Sequence, residues 1–360
     1  MGAWFAPTTA DEELTMKADK YLLHNLASLK MHLAKEHQVL QISADLQGED
    51  KWQAADAADI APLYGEDHLP LMSPKAFLFA PREILYKFDG ESFSPLLPDC
   101  KPRVLFGVQA CDLIAISHQD IFFKDDVHYQ VRRQQTLLVG IDCQAPCAQG
   151  FCPLMDAGPH VRQHSADLIL SQLEVQGRPW LLIGATEKGK ASIAGMSLAS
   201  ATEEHIIERT RLENQALSQF SDFSYINNSI EYINNVAVPG ELWEELSVRC
   251  LACSGCTNLC PTCSCYSTYE QKKEVIDEFT TLRVWDSCLF EGFQREASGH
   301  NPSHLAAKRT ERFWFHKFSD EYLPEFSRYG CVGCGRCEQT CSGSVGVHSV
   351  MKRIDQVCSN

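Results

Sequence analysis

The chain has 360 residues, 44% apolar and 22% charged, the balance of an ordinary globular protein with room for two or three domains. Its 32 basic and 47 acidic side chains give a formal charge of −15, so it offers no basic footprint for nucleic acid or an anionic membrane, and no nucleic-acid partner is expected. No stretch reaches the roughly 18 consecutive apolar residues of a membrane span, and the N-terminal residues lack a basic region followed by an apolar core; a cytoplasmic protein is expected.

In chain order, Tyr21 to Leu33 sets Leu22, Leu23, Leu26, Leu29 and Leu33 at helical spacing, which predicts a helix with one buried face. Short apolar runs bounded by turn residues predict buried strands at Ala76 to Ala80, Arg103 to Gln109, Thr136 to Asp142 and Pro179 to Ala185. Leu168 to Gly184 reads as a hairpin turning at Gly177 and Pro179. Thr202 to Phe220 predicts a helix with Thr202 as its N-cap. A boundary is expected near Pro239 and Gly240, dividing an α/β (or α+β) domain over 1–240 from a cysteine-rich, ferredoxin-like domain over 241–360.

The 17 cysteines occupy two territories, Cys100 to Cys152 and Cys250 to Cys358. In a reducing compartment disulfides are a poor account of them, and the odd count leaves at least one unpaired. Metal ligation is the leading account. Cys250, Cys253, Cys256 and Cys260, followed by Pro261, spell C-x2-C-x2-C-x3-C-P, the run that ligates a 4Fe-4S cluster in bacterial ferredoxins. Cys331, Cys334, Cys337 and Cys341 repeat the spacing.

Three thiolates at i, i+3 and i+6 on a tight loop can cap three irons of a cubane, whereas the fourth cannot easily turn back to the same one; in two-cluster ferredoxins it ligates the other cluster. The expected ligand sets are Cys250, Cys253, Cys256 and Cys341 for cluster one, and Cys331, Cys334, Cys337 and Cys260 for cluster two. Structural zinc is the rival, but it usually takes two separated C-x2-4-C pairs rather than four cysteines in eleven residues twice over. Ser342 stands where the pattern has proline, which predicts a changed loop without a lost cluster. About 70 residues separate the repeats, so a structured insert is expected around Phe279 to Phe318, with Trp285 and Trp314.

With these residues in view, the chain resembles the iron-sulfur protein family that includes the beta subunits of soluble nickel-iron hydrogenases (sulfhydrogenases) and the electron-transfer subunit of anaerobic sulfite reductase. The stretches that carry the resemblance are GVQACDLIAI (Gly107 to Ile116), RCLACSGCTNLCPTCSCY (Arg249 to Tyr266), RVWDSC (Arg283 to Cys288), GHN (Gly299 to Asn301) and CVGCGRC (Cys331 to Cys337). The resemblance implies a non-catalytic electron-transfer subunit. Its partners would be a flavoprotein that exchanges electrons with NAD(P)H and a catalytic nickel-iron hydrogenase or sirohaem sulfite reductase subunit. GVQACD followed by VRRQQTLLVGIDC lies nearer the hydrogenase branch.

Cys111, Cys143, Cys147 and Cys152 suggest a third cluster, because two of them follow strand candidates that could end on one edge of a parallel sheet. The family has cysteines at the first two positions and then a close C-x-C pair, whereas Cys147 and Cys152 are spread apart. Buried reduced cysteines, which are common core residues, are the rival to that third cluster. Cys263, Cys265 and Cys288 also match family positions but define no site, and Cys100 and Cys358 have no evident partner. His300 and Arg283, Arg309 and Arg312 read as structural or solvated. A flavin-reducing enzyme is disfavoured, because no G-x-G-x-x-G run follows a strand candidate.

Overall fold

The computed structural model describes residues 19–45, 47–55, 69–272 and 278–359. Its strands are β1 (Asp19–Leu23), β2 (Gln38–Ala44), β3 (Asp50–Ala54), β4 (Arg82–Phe88), β5 (Phe93–Pro95), β6 (Arg103–Gln109), β7 (Thr136–Ile141), β8 (Leu168–Gln172), β9 (Trp180–Gly184), β10 (Ala199–Ser200), β11 (Tyr266–Lys272) and β12 (Phe279–Trp285). They form an eight-stranded sheet of order β10-β1-β9-β8-β7-β6-β2-β3 and a four-stranded sheet of order β11-β12-β4-β5. β2, β6, β7 and β8 run parallel at the heart of the larger sheet, and antiparallel pairs close both flanks.

The central strands read RVLFGVQ and TLLVGI because both faces are covered. Leu105, Val108 and Leu138 pack with Leu113 and Ile116 of the helix Ala110–Phe122 on one face. Val104, Phe106, Leu137 and Val139 pack with Leu26, Leu29 and Leu33 of the helix Leu26–Leu33 on the other. A third core holds the cysteine loops, Trp314 and the helices Ser224–Asn234, Gly240–Arg249, Ala306–Phe318 and Val347–Cys358. Among the described residues no helix is long and apolar enough to cross a membrane.

Two expected elements differ. Tyr21 to Leu23 is strand, with Leu22 opposite Leu181 of β9, and the helix starts only at Leu26 because the Asn25 side chain accepts from the Ala27 N–H at 2.8 Å. Ala76 to Ala80 is not a strand; a helical turn, Lys75–Leu78, follows Pro74 and carries Lys75 into the interior. The helix after Thr202 runs over Glu203–Leu217 behind a capping box in which the Thr202 N–H donates to His205 Nδ1. Residue 240 is the first of a helix, and the packing crosses it: β12 pairs with β4 in register Arg283↔Glu83.

Candidate metal centres

The two cysteine repeats fold alike. Ala252 and Gly333 occupy equivalent positions, as do Ser254 and Gly335, and all four are left-handed, with φ of 48°, 66°, 63° and 74° in that order. Each repeat then enters a short helical turn, Gly255–Asn258 in the first and Arg336–Gln339 in the second. The glycines of the second repeat answer a packing demand that the first does not face. A Cβ on Gly333 would sit 2.7 Å from the Cys152 backbone, and one on Gly335 would sit 2.2 Å from the Gln149 carbonyl oxygen. Glycine thus serves here for contact with the loop that carries Cys147 and Cys152.

The substitution of Ser342 for proline leaves the turn itself intact. Ser344 N–H donates to Cys341 O at 3.2 Å as Cys263 N–H donates to Cys260 O at 3.3 Å, and Ser344, unlike Cys263, is left-handed, with φ of 52°.

Three apolar cavities receive the thiols. The first is walled by Cys250, Cys253, Cys256 and Cys341, with Leu289, Phe313 and Trp314. The second is walled by Cys260, Cys331, Cys334 and Cys337, again with Phe313 and Trp314, and Cys256 lines it too. The third is walled by Cys111, Cys143, Cys147 and Cys152, together with Cys334. Neighbouring cavities therefore share walls: Cys256 between the first and second, Cys334 between the second and third.

Cys111 and Cys143 meet at the third cavity because β6 and β7 are parallel and in register at Gln109↔Ile141, so the residues just beyond emerge at one carboxyl edge. The loop of Cys152 is fastened to the second repeat by Phe151 N–H donating to Gly333 O at 2.8 Å.

The thiols suit iron-sulfur clusters in three ways. They ring cavities, as the corners of a cubane would require. Backbone N–H groups point at sulfur, Gly333 N to Cys331 Sγ at 3.4 Å and Val345 N to Cys341 Sγ at 3.2 Å, the kind of bond that stabilises a bound thiolate. Finally, burial pushes the Cys256 thiol up to about 12, raised further by Cys250, Cys260, Cys341 and Cys253 beside it, and burial takes Cys331 to about 12 as well. Such thiols ionise when a metal supplies the compensating charge.

Positive charge collects on the second cavity. Lys75 is buried and its Nζ donates to the carbonyl oxygens of Thr257, Cys260 and Cys263 at 3.2, 2.8 and 3.1 Å, while lying 4.4 Å from the Trp285 ring centroid. Burial lowers its pKa to about 8. Lys317 lines the cavity and donates to Thr262 Oγ1 at 2.9 Å and Gly330 O at 3.1 Å. Burial opposes its charge, but the thiols of Cys260, Cys263 and Cys331 outweigh that and hold the ammonium well above its usual range. Arg336 and Asp112 form a bidentate pair that is fully buried on both sides, with contacts of 2.6 and 2.8 Å. The residues walling the first cavity include no charged side chain. Neither lysine stands out in the sequence, since a lone Lys in an apolar run normally marks a surface.

All 17 cysteines are free thiols. Cys263 and Cys288 are buried in the third core with Cys265 partly buried beside them, outside the three cavities. Cys100 lies at the surface edge, and Cys358 ends an ordered helix with its sulfur 3.8 Å from Ala237 O. His300 is exposed and faces Glu296 at 3.3 Å, far from a structural role in a core. Arg283 is fully buried between Glu83 and Asp126, whereas Arg309 donates to the Ser303 and His304 carbonyls near the surface. Trp314, buried between the first two cavities, belongs to the expected insert, which is structured as β11, β12 and the helix Ala306–Phe318.

Residues 249–345 match the family model described as a 4Fe-4S dicluster domain. The chain therefore combines an N-terminal sheet domain with a C-terminal iron-sulfur domain of that class. It is 28% identical over 280 residues to the sulfhydrogenase 2 subunit beta of Pyrococcus furiosus, an alignment that covers 76% of this chain and 80% of that protein. Both findings fit the iron-sulfur beta-subunit family that the motifs indicate. No solved structure gives a significant match.

Proposed function

We propose that the chain is the electron-transfer subunit of a multi-subunit oxidoreductase of the nickel-iron hydrogenase or sulfur reductase type. It would relay electrons between an NAD(P)H-linked flavoprotein and a catalytic metal subunit in the cytoplasm. The observation that carries this reading is the shared-wall series of three thiol-lined cavities. A relay needs redox centres close together and shielded from water, and shared walls between largely apolar cavities support that reading. The relative's name supports the hydrogenase setting over that of a sulfite reductase.

Cluster one takes Cys250, Cys253, Cys256 and Cys341, and cluster two takes Cys331, Cys334, Cys337 and Cys260. A third takes Cys111, Cys143, Cys147 and Cys152. When bound, the clusters supply one-electron oxidation and reduction and no bond-making. The chain's own residues hold the thiolates apart, donate N–H groups to sulfur, exclude water through Phe313 and Trp314, and set the local charge through Lys75 and Lys317.

The series has two ends. Cys253 is exposed at the first cavity. At the other end, Cys147 also borders an open groove lined by Gln219, Asp222, Tyr225, His348 and Lys352. The partner proteins would dock at these ends. Iron, acid-labile sulfide and zinc per chain after anaerobic purification test the proposal. About twelve irons, three cubanes of four, support the full series; about eight limit the relay to the C-terminal repeats, and zinc without iron refutes it.

A further inference from the structure

Three cysteines of the C-terminal part, Cys263, Cys265 and Cys288, border none of the thiol-lined cavities. Cys265 and Cys288 are brought together by the second sheet. β11 and β12 are in register to Tyr266↔Trp285, and the ladder continues one step further through Asp286 N–H donating to Cys265 O at 3.0 Å. The chain then turns back, which brings Cys288 beside Cys265. Cys288 is 6% exposed and packed in the core, whereas Cys265 is only partly buried, next to the exposed Tyr266. Two neighbouring thiols, one shielded and one partly exposed, are arranged for disulfide exchange.

We infer that Cys265 and Cys288 form a dithiol/disulfide couple that a small soluble disulfide oxidises at the exposed edge of Cys265. The Cys265 thiolate attacks one sulfur of the soluble disulfide and a thiolate leaves; Cys288 then attacks the Cys265 sulfur of the mixed disulfide and releases the second thiolate. The two protein thiols lose two electrons and two protons, and the soluble disulfide gains both as two thiols. The roles follow the environments. Cys265, the partly exposed sulfur, is the attacking thiol, and the shielded Cys288 is the resolving one. Closure would withdraw a thiolate that faces Lys317 and Lys75, which ties the couple to the charge around the second cavity.

The test uses the full chain, purified anaerobically with its iron. Glutathione disulfide is added, free thiols are alkylated, and the digest is read by mass spectrometry. A Cys265–Cys288 crosslinked peptide in most chains, with iron per chain unchanged, is expected, and C265S and C288S should lose the crosslink and keep the wild-type iron content. No modification, or a glutathione adduct on Cys265 that never resolves, overturns the inference. So does a loss of about four irons in either variant, the content of one cubane, because that would make the residue a cluster ligand. The wild-type crosslink decides the matter even if a variant fails to fold. Absence of iron from the wild-type chain would instead refute the electron-transfer reading, and the crosslink would still stand or fall by itself.

Discussion

Lys317→Met should make the second cluster harder to reduce and leave the first unchanged. The Cys260 sulfur lies 3.2 Å from Thr262 Oγ1, which lies 2.9 Å from Lys317 Nζ, so the ammonium is within about 6 Å of a proposed cluster ligand. Taking an effective dielectric of about 20, one positive charge at that distance stabilises an added electron by about 2.8 kcal/mol, and at twice the distance by about half as much. Because the electron spreads over the whole cubane, the two figures bracket the effect, about 60 to 120 mV for a one-electron couple. Methionine fills a similar volume without charge, and Gly330 O keeps its second donor, Thr262 Oγ1 at 2.7 Å, so the loop should hold its shape. The assay is a potentiometric titration followed by electron paramagnetic resonance, with cluster one as the internal control because no charged side chain walls its cavity. An unmoved or raised midpoint for cluster two, or equal shifts in both clusters, would refute the reasoning.

Asp112→Asn leaves Arg336 fully buried without its counter-charge and should cost about 3–5 kcal/mol in denaturant unfolding, with Asp112→Asn combined with Arg336→Met recovering part of the loss. Ala252→Gly should raise stability by about 1 kcal/mol, because Ala252 holds a left-handed φ of 48° that glycine adopts without a Cβ clash; a lower melting temperature would count against it. Gly335→Ala would drive a Cβ to within 2.2 Å of the Gln149 carbonyl and should dislodge the loop that carries Cys147 and Cys152. Its iron content is expected to fall by about four per chain, one cubane, with the other clusters kept; unchanged iron would remove the third cluster from the proposal.

Local signals carried three of the buried strands well. β6 spans the run read from the sequence, and β7 and β9 lie within theirs, because a strand buried on both faces writes itself as an unbroken apolar stretch. The same signal misled at Ala76 to Ala80, where a short apolar run serves a helical turn equally well. Tyr21 to Leu23 has helical spacing only by continuity with the true helix; its strand state depends on β9, some 160 residues away, which no local pattern reports. Pairing of β4 with β12 is likewise nonlocal, so an expected border at 240 could not reveal that the second sheet draws strands from both sides. The cysteine spacing that marks a 4Fe-4S dicluster domain was legible because cluster ligation restricts spacing directly. What surrounds the thiols was not: Lys75 and Lys317 gain meaning only from the carbonyl oxygens and thiols that burial brings to them.

The placement of those lysines bears on direction as well as on potential. Phe313 and Trp314 wall both the first and second cavities and keep the junction apolar, and in such a medium each charge acts over a longer range than it would in water. Two ammonium groups lie against the second thiol set, and the arginine that lines the same cavity, Arg336, is neutralised by Asp112. Electrostatics alone therefore make the middle of the series the most favourable place for an electron. A relay whose central site is the easiest to reduce accepts electrons from either end and releases them to whichever end is more oxidising. On this reasoning the chain of the proposed relay imposes no direction of its own, and the potentials of the proposed partners decide which way electrons flow.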